Sequence, residues 1–348
     1  MSTASTAAVA LGHTRKPRIA VIGTGGTFAM HARHRFDWVE YGESGVVHPI
    51  GKLLDDLGEL GEVSSAIDLV SIPFRALGST GITPQDWLEL ARLIEDTAHK
   101  DASIAGFVVT HGTATLEETA WFLDLTLALD IPIVVTGAQR PANTAGSDVP
   151  ANLRAALAVA GATTVRGAGV LVVMDGHIFC ARDVSKAASF DLNAFEATPF
   201  GPLGRVDASG EVVMRRLPVR QRAMPAPDLA RIGALPRVDI AMSYAGADRV
   251  VIDALVAGGA RGIVSAGLPP GRPANGEAQG LADAVRGGVI VVQSTRSPRG
   301  VVPPQAFLAA AGVLAGGDLS AQKLRILLML ALTQSSERDL IQRWLLAS

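Results

Sequence analysis

Five short aliphatic runs in the first half of the chain, at residues 18–23, 68–72, 106–110, 131–136 and 169–174, constrain the fold more tightly than any other feature. They are too short for buried helices, and most are too continuously apolar for a strand with one wet face, so they read as strands covered on both sides. Helical patterns lie between them. Residues 84–100 begin with Thr83 as N-cap and Pro84 at the first helical position, and 117–129 follow Thr115, with Glu118 expected to complete a capping box. Alternation of strand and helix predicts right-handed crossovers and a parallel sheet covered on both faces, with ligands at the carboxyl ends of its strands.

Beyond Arg205 the regularity fails, and Pro218, Pro225, Pro227 and Pro236 mark a connecting segment. A second unit then resumes the pattern, with strands expected at 238–243, 262–266 and 289–293 and helices at 247–257, 277–286 and 321–346. The fold class is therefore α/β with two domains. The expected organisation is a flexible tail over 1–16, an N-terminal domain over 17–205 with a mixed or parallel sheet, a linker over 206–236, and a smaller parallel-sheet domain over 237–348. At roughly 100–200 residues per domain, 348 residues suit two.

Composition removes several function classes. With 31 Lys and Arg against 33 Asp and Glu, the net charge of -2 provides no field for nucleic acid. The apolar runs fall far short of the roughly 20 residues that cross a bilayer, so no membrane partner is expected. Cys180 is the single cysteine, which permits no internal disulfide and fits a reducing compartment. Arg15 and Lys16 follow the apolar N-terminal stretch where a signal peptide would place basic residues before it, so a cytoplasmic location is expected.

Three polar segments stand at predicted strand ends. Gly23-Thr-Gly-Gly-Thr27 follows the first strand, where glycines allow a sharp turn that exposes backbone N–H groups. It is a poor dinucleotide fingerprint, since Phe28 occupies the third glycine position and no Gly-Lys-Ser/Thr follows. Thr110-His-Gly-Thr-Ala-Thr115 ends the third strand, so Thr113 is expected near Thr27. Lys186, in Ala181-Arg-Asp-Val-Ser-Lys186, is expected at the same edge, where burial would favour a neutral amine able to take a hydroxyl proton. Each also has a plain structural reading: a turn, a helix cap and a surface lysine. His31 and His34 invite a metal reading, but no further ligand set accompanies them, and no G-x-S-x-G elbow occurs.

Taken together, these segments resemble the bacterial-type L-asparaginase and glutaminase-asparaginase family from Arg18 to the C-terminus. The resemblance rests on Thr24-Gly-Gly-Thr27, Val109-Thr-His-Gly-Thr-Ala-Thr-Leu-Glu-Glu118, Thr136-Gly-Ala-Gln-Arg-Pro141, Ser147-Asp-Val-Pro-Ala-Asn-Leu153, Arg182-Asp-Val-Ser-Lys186 and Phe200-Gly-Pro-Leu-Gly204. It implies Thr27 as nucleophile, Thr113 and Lys186 as a second catalytic pair and Tyr41 as a lid tyrosine. Ser79 would hold a substrate carboxylate, with Thr80, Ala114, Gly26 and Gly112 lining the substrate site. It further implies an asparaginase-like fold, a small-molecule amide substrate with L-asparagine as the default, a homotetramer of intimate dimers, and no metal or organic cofactor.

Four departures cluster around one substrate group. Ala114 stands where the family usually has Asp, Thr80 where Gln is usual, and Tyr244-Ala-Gly246 where an Asn follows Tyr-Ala. Residues 301–314, where an acidic residue is expected, carry no charge. An α-ammonium left unpaired there costs several kcal/mol, about enough to remove most of the affinity for free asparagine. The alternatives are an amide, lactam or ester lacking that ammonium, which Arg33 and Arg35 would suit if it bore a carboxylate, or a non-catalytic sensor. A nucleotide-binding oxidoreductase has only the glycine-rich turn in its favour.

Overall fold

The computed structural model describes residues 16–56, 67–219 and 223–348; the expected tail, residue 16 apart, lies outside them. The large sheet begins with the parallel strands β1 (Arg18–Gly25), β2 (Asp68–Leu77), β3 (Ile104–Thr110), β4 (Ile133–Thr136) and β5 (Val170–Met174). β6 (His177–Cys180) turns back antiparallel to β5. A separate ribbon pairs β7 (Ser185–Lys186) with β8 (Phe195–Glu196), and β9 (Gly204–Val206) and β10 (Val212–Met214) complete the sheet in the order β10-β9-β6-β5-β4-β3-β1-β2. Strand order reverses between β1 and β3, so their carboxyl ends flank the topological switch point where α/β sheets bind ligands.

Helices cover both faces. α1 (Ile50–Asp56) and α4 (Val149–Gly161) bury Ile50, Leu153 and Leu157 against Ile19, Val21, Val108 and Val134. α2 (Pro84–Lys100) and α3 (Leu116–Thr126) bury Trp87, Leu90 and Phe122 against Ala20, Ile22, Phe107 and Val109 on the other face. Alternate residues of each strand thus feed opposite cores, as period two requires.

The second sheet is parallel, in the order β11 (Val238–Met242), β12 (Gly262–Gly267), β13 (Ile290–Thr295) and β14 (Leu314–Ala315). α5 (Val250–Ala257) and α6 (Asn275–Arg286) bury Ile252 and Leu281 on one face, and α7 (Ala306–Ala310) adds Leu308. On the other face α8 (Ala321–Gln334) and α9 (Arg338–Ala347) belong to the same core as α2 and α3, which makes the apolar interior continuous between the two units.

Several local expectations change. Thr83 does cap α2, in a capping box with Asp86. Thr115 does not form the expected box with Glu118: its hydroxyl donates to the Ser79 carbonyl at 2.8 Å, because α3 packs beside the loop after β2. β9 and β10 occupy part of the expected linker, joined by a turn in which Asp207 accepts from the Ser209 and Glu211 amides. Strands of three residues show no readable period, so that hairpin was hidden. α1, α4, α7, β6, β7, β8 and β14 also lie outside the elements expected from the sequence.

His111 ties β3 to the helical layer. It is buried, its Nδ1–H donates to the Gly112 carbonyl at 2.8 Å, and its Nε2 accepts from Thr119, which in turn accepts from the Trp87 indole. Burial pushes its pKa down from 6.5 to about 4, although the Gly112 contact opposes the shift. Below pH 6.5 the unfolded chain therefore binds a proton that the native chain refuses, and stability falls until about pH 4. The difference corresponds to about 3 kcal/mol. Urea denaturation of the wild type should show that fall between the two pH values, and in His111→Gln the same window should be flatter.

Candidate active site

Three loops meet at the switch point with almost no side chain between them. At the end of β1 and just beyond it, Gly25 and Gly26 adopt positive φ of 98° and 71°, and the Gly26 N–H donates to the Leu77 carbonyl of β2 at 2.7 Å. A Cβ on Gly26 would overlap the Gly112 backbone, and a Cβ on Gly112 would overlap Ser79. The Thr24 hydroxyl also donates to the Thr110 carbonyl at 2.9 Å. Glycine at 26 and 112 therefore lets the loops after β1, β2 and β3 approach backbone to backbone, and residues 27 and 113 follow on adjoining turns.

Thr27 is buried, and its hydroxyl lies 2.6 Å from the Tyr41 phenol. Tyr41 opens a 3-10 turn, Tyr41–Ser44, in a loop whose base is closed by a Met30–Val47 bridge. Buried Asp37 accepts from the Arg33 and Glu40 amides, and the Arg33 guanidinium is held by Asp37 and by Glu40 at 2.6 Å. Arg33 is thus paired within the loop by two carboxylates. Asn143 clasps the Ala32 backbone through both ends of its amide, at 2.9 and 2.8 Å, and the Arg140 guanidinium stacks 4.2 Å over the Trp38 ring. His31 pairs with His48, ring edge to face, and not with His34.

The second pair is equally close. Lys186 Nζ donates to Thr113 Oγ1 at 2.7 Å and to Gln139 Oε1 at 3.0 Å. Its backbone N–H donates to the buried Glu117 carboxylate at 2.9 Å. Burial holds the Lys186 amine below the usual lysine range, against the opposing pull of the Glu117 charge. A lysine poised toward its neutral form beside a threonine hydroxyl is an arrangement for moving a proton.

The substrate positions divide. Gly26, Gly112 and Ser79 lie at the junction, Ser79 half-buried, whereas Thr80 and Ala114 are exposed and carry no charge. Gln139 and Glu117 were not singled out from the sequence. Both stand inside segments noted there, but neither spacing nor residue type shows that they converge on Lys186. Among the described residues, no group of three or more His, Cys, Asp or Glu could hold a metal ion.

The site thus joins a hydroxyl–hydroxyl pair, Thr27 with Tyr41, and a hydroxyl–amine pair, Thr113 with Lys186, at the switch point of an α/β fold. Residues 18–220 match the family described as asparaginase, N-terminal, and residues 237–345 the glutaminase/asparaginase C-terminal domain. L-asparaginase 2 of Escherichia coli is 36% identical over 334 residues, covering 94% of this chain and 92% of that protein. A glutaminase-asparaginase of Pseudomonas fluorescens is 33% identical over 338 residues, covering 95% and 90%. A crystal structure of a probable cytoplasmic L-asparaginase from Campylobacter jejuni superposes with a TM-score of 0.89 at 33% identity, over 96% of this chain and 100% of that one. The chain belongs to the asparaginase family. It is accordingly a hydrolase acting on carbon–nitrogen bonds, an amidohydrolase.

The junction should tolerate no side chain. Gly112→Ala is expected to cost about 1–3 kcal/mol of stability, as overpacking does, and to abolish ammonia release. Urea melts and an ammonia assay of the folded variant check both outcomes.

Proposed function

We propose that the chain hydrolyses an amide through an acyl-enzyme formed on Thr27. The observation that carries this reading is the Lys186 amine 2.7 Å from Thr113 Oγ1 beside the loop that holds Thr27. Thr27 Oγ attacks the amide carbon, and the Tyr41 phenol at 2.6 Å orients that hydroxyl and relays its proton. Backbone N–H groups of the two loops, Gly26 excepted because its amide is committed to Leu77, receive the oxyanion. The proton lost by Thr27 goes to the leaving nitrogen, which departs as ammonia; the Thr113–Lys186 pair then takes a proton from the water that attacks the acyl carbon and passes it to Thr27 Oγ as the acid is released.

The default substrate is L-asparagine. A second reading, an amide, lactam or ester without an α-ammonium, is favoured by the exposed and uncharged Ala114 and Thr80, and by the engagement of Glu117 with the Lys186 main chain. Ammonia release from asparagine, glutamine and succinamate separates the readings: strong turnover of asparagine excludes the second, and turnover confined to succinamate excludes the first. Thr27→Ala and Lys186→Met should each lower the rate on the accepted amide by about 100-fold or more. Because Lys186 acts as a base only when neutral, the rate should rise with pH through a pKa below the ordinary lysine value, and that limb should vanish in Lys186→Met.

Exposed Met242, Tyr244, Val250 and Val251 form an apolar stretch from the end of β11 to the start of α5, which supports a homotetramer; sedimentation at micromolar concentration should give a single tetrameric species. No helix among the described residues is long and apolar enough to cross a membrane, and we read the protein as cytoplasmic.

A further inference from the structure

We propose that Gln139 is the positioning residue of the Thr113–Lys186 pair: its fixed side-chain carbonyl orients the lysine amine and, being uncharged, leaves that amine free to work as a base. The inference rests on the reading of Lys186 as the base and deepens it. Gln139 is buried, and both ends of its amide are committed. Nε2 donates to the carbonyls of Ser189 at 3.3 Å and Asp191 at 2.9 Å, while Oε1 faces Lys186 Nζ at 3.0 Å. A flipped amide would set an oxygen against two carbonyls and an NH2 against an amine, so only one orientation is possible. The main chain is equally fixed, because the Gln139 and Arg140 amides both donate to buried Asp148.

An acceptor that can only accept dictates where the lysine hydrogens go. A neutral amine gives one N–H to Gln139 Oε1 and can aim its lone pair at the Thr113 hydroxyl, 2.7 Å away. The proton then passes from Thr113 Oγ1 to Lys186 Nζ, leaving an ammonium that still donates to Gln139. A carboxylate at the same place would make the same contact but stabilise the ammonium far more, and so keep the amine protonated. The ionisable groups around this segment include Glu117, Glu118 and Asp124 of α3, Lys323 and Arg325 of α8, and Cys180, Arg182 and Asp183 ahead of Lys186. Of these, Glu117 is the one whose charge acts on the amine. Its carboxylate bonds the lysine main chain, which leaves the Nζ contacts to Thr113 and Gln139. Gln139 also precedes Arg140, which stacks on Trp38, so one short segment contacts both Lys186 and the loop that carries Tyr41.

Competitive labelling of the full-length protein with acetic anhydride, read at Lys186 by peptide mass spectrometry across pH, measures the amine's pKa without any substrate. Gln139→Glu should raise that pKa by about one unit or more, as an opposite charge at this distance does. Gln139→Met, which removes the acceptor, should lower it. On the accepted amide the acid limb of kcat should move in the same two opposite directions, with KM little changed. A folded Gln139→Met protein whose Lys186 pKa and kcat match the wild type overturns the proposal, and that variant decides the matter alone if Gln139→Glu fails to fold. Full ammonia release by Lys186→Met would instead overturn the role of Lys186, a result distinct from unchanged labelling in the Gln139 variants.

Discussion

The contact between the Gly26 and Gly112 backbones, with Ser79 behind them, is the constraint on which the site depends. Chains that approach this closely leave no room for a Cβ, and the positive φ of Gly26 adds a conformational demand that most residues meet only with strain. Because the loops touch at these points, two threonines eighty-six positions apart in sequence stand on adjacent turns. The sheet supplies the opportunity, since the reversal of strand order between β1 and β3 opens a crevice between their carboxyl ends. The glycines let the loops close it.

Around this junction the polar groups are fixed by partners drawn from many parts of the chain. Lys186 is held at its main chain by α3 and at its amine by the loops after β3 and β4. Buried Lys323, from α8, reaches back to the Ala181 carbonyl at the other end of the same segment, and burial pushes its amine down to about 8. The C-terminal unit therefore grips the segment that carries Lys186 through a core that is continuous between the two sheets. Tyr41 is delivered by a loop in which Arg33 is paired with Asp37 and Glu40 and whose outer edge is clasped by Asn143 and Arg140.

The strands were legible because burial on both faces forces continuous apolar runs, and β1, β3 and β5 begin within two residues of their expected positions. α2 was legible from its cap and its leading proline. The hairpin of β9 and β10 was not, since three-residue strands carry no period, and the Thr115 hydroxyl went to Ser79 because tertiary proximity competed with local capping. In the site, Thr27, Thr113 and Lys186 were marked by their place at strand ends, whereas Gln139 was part of a recognised segment with no sign of its function. The pairing of Arg33 was hidden for a related reason: its partners Asp37 and Glu40 are fixed by the fold of the loop.

The sequence by itself determined the alternation of buried strands and helices, the glycines where loops must touch, and the hydroxyl and amine groups available at the strand ends. These are properties of residue type and local spacing, which period, size and backbone freedom express directly. Only the tertiary structure decided which groups meet: that Lys186 rests between Thr113 and Gln139, that Thr27 faces Tyr41, and that His111 is locked neutral in the core. Hydrogen-bond direction and desolvation depend on what surrounds a group in three dimensions, and those surroundings come from segments far apart in the chain.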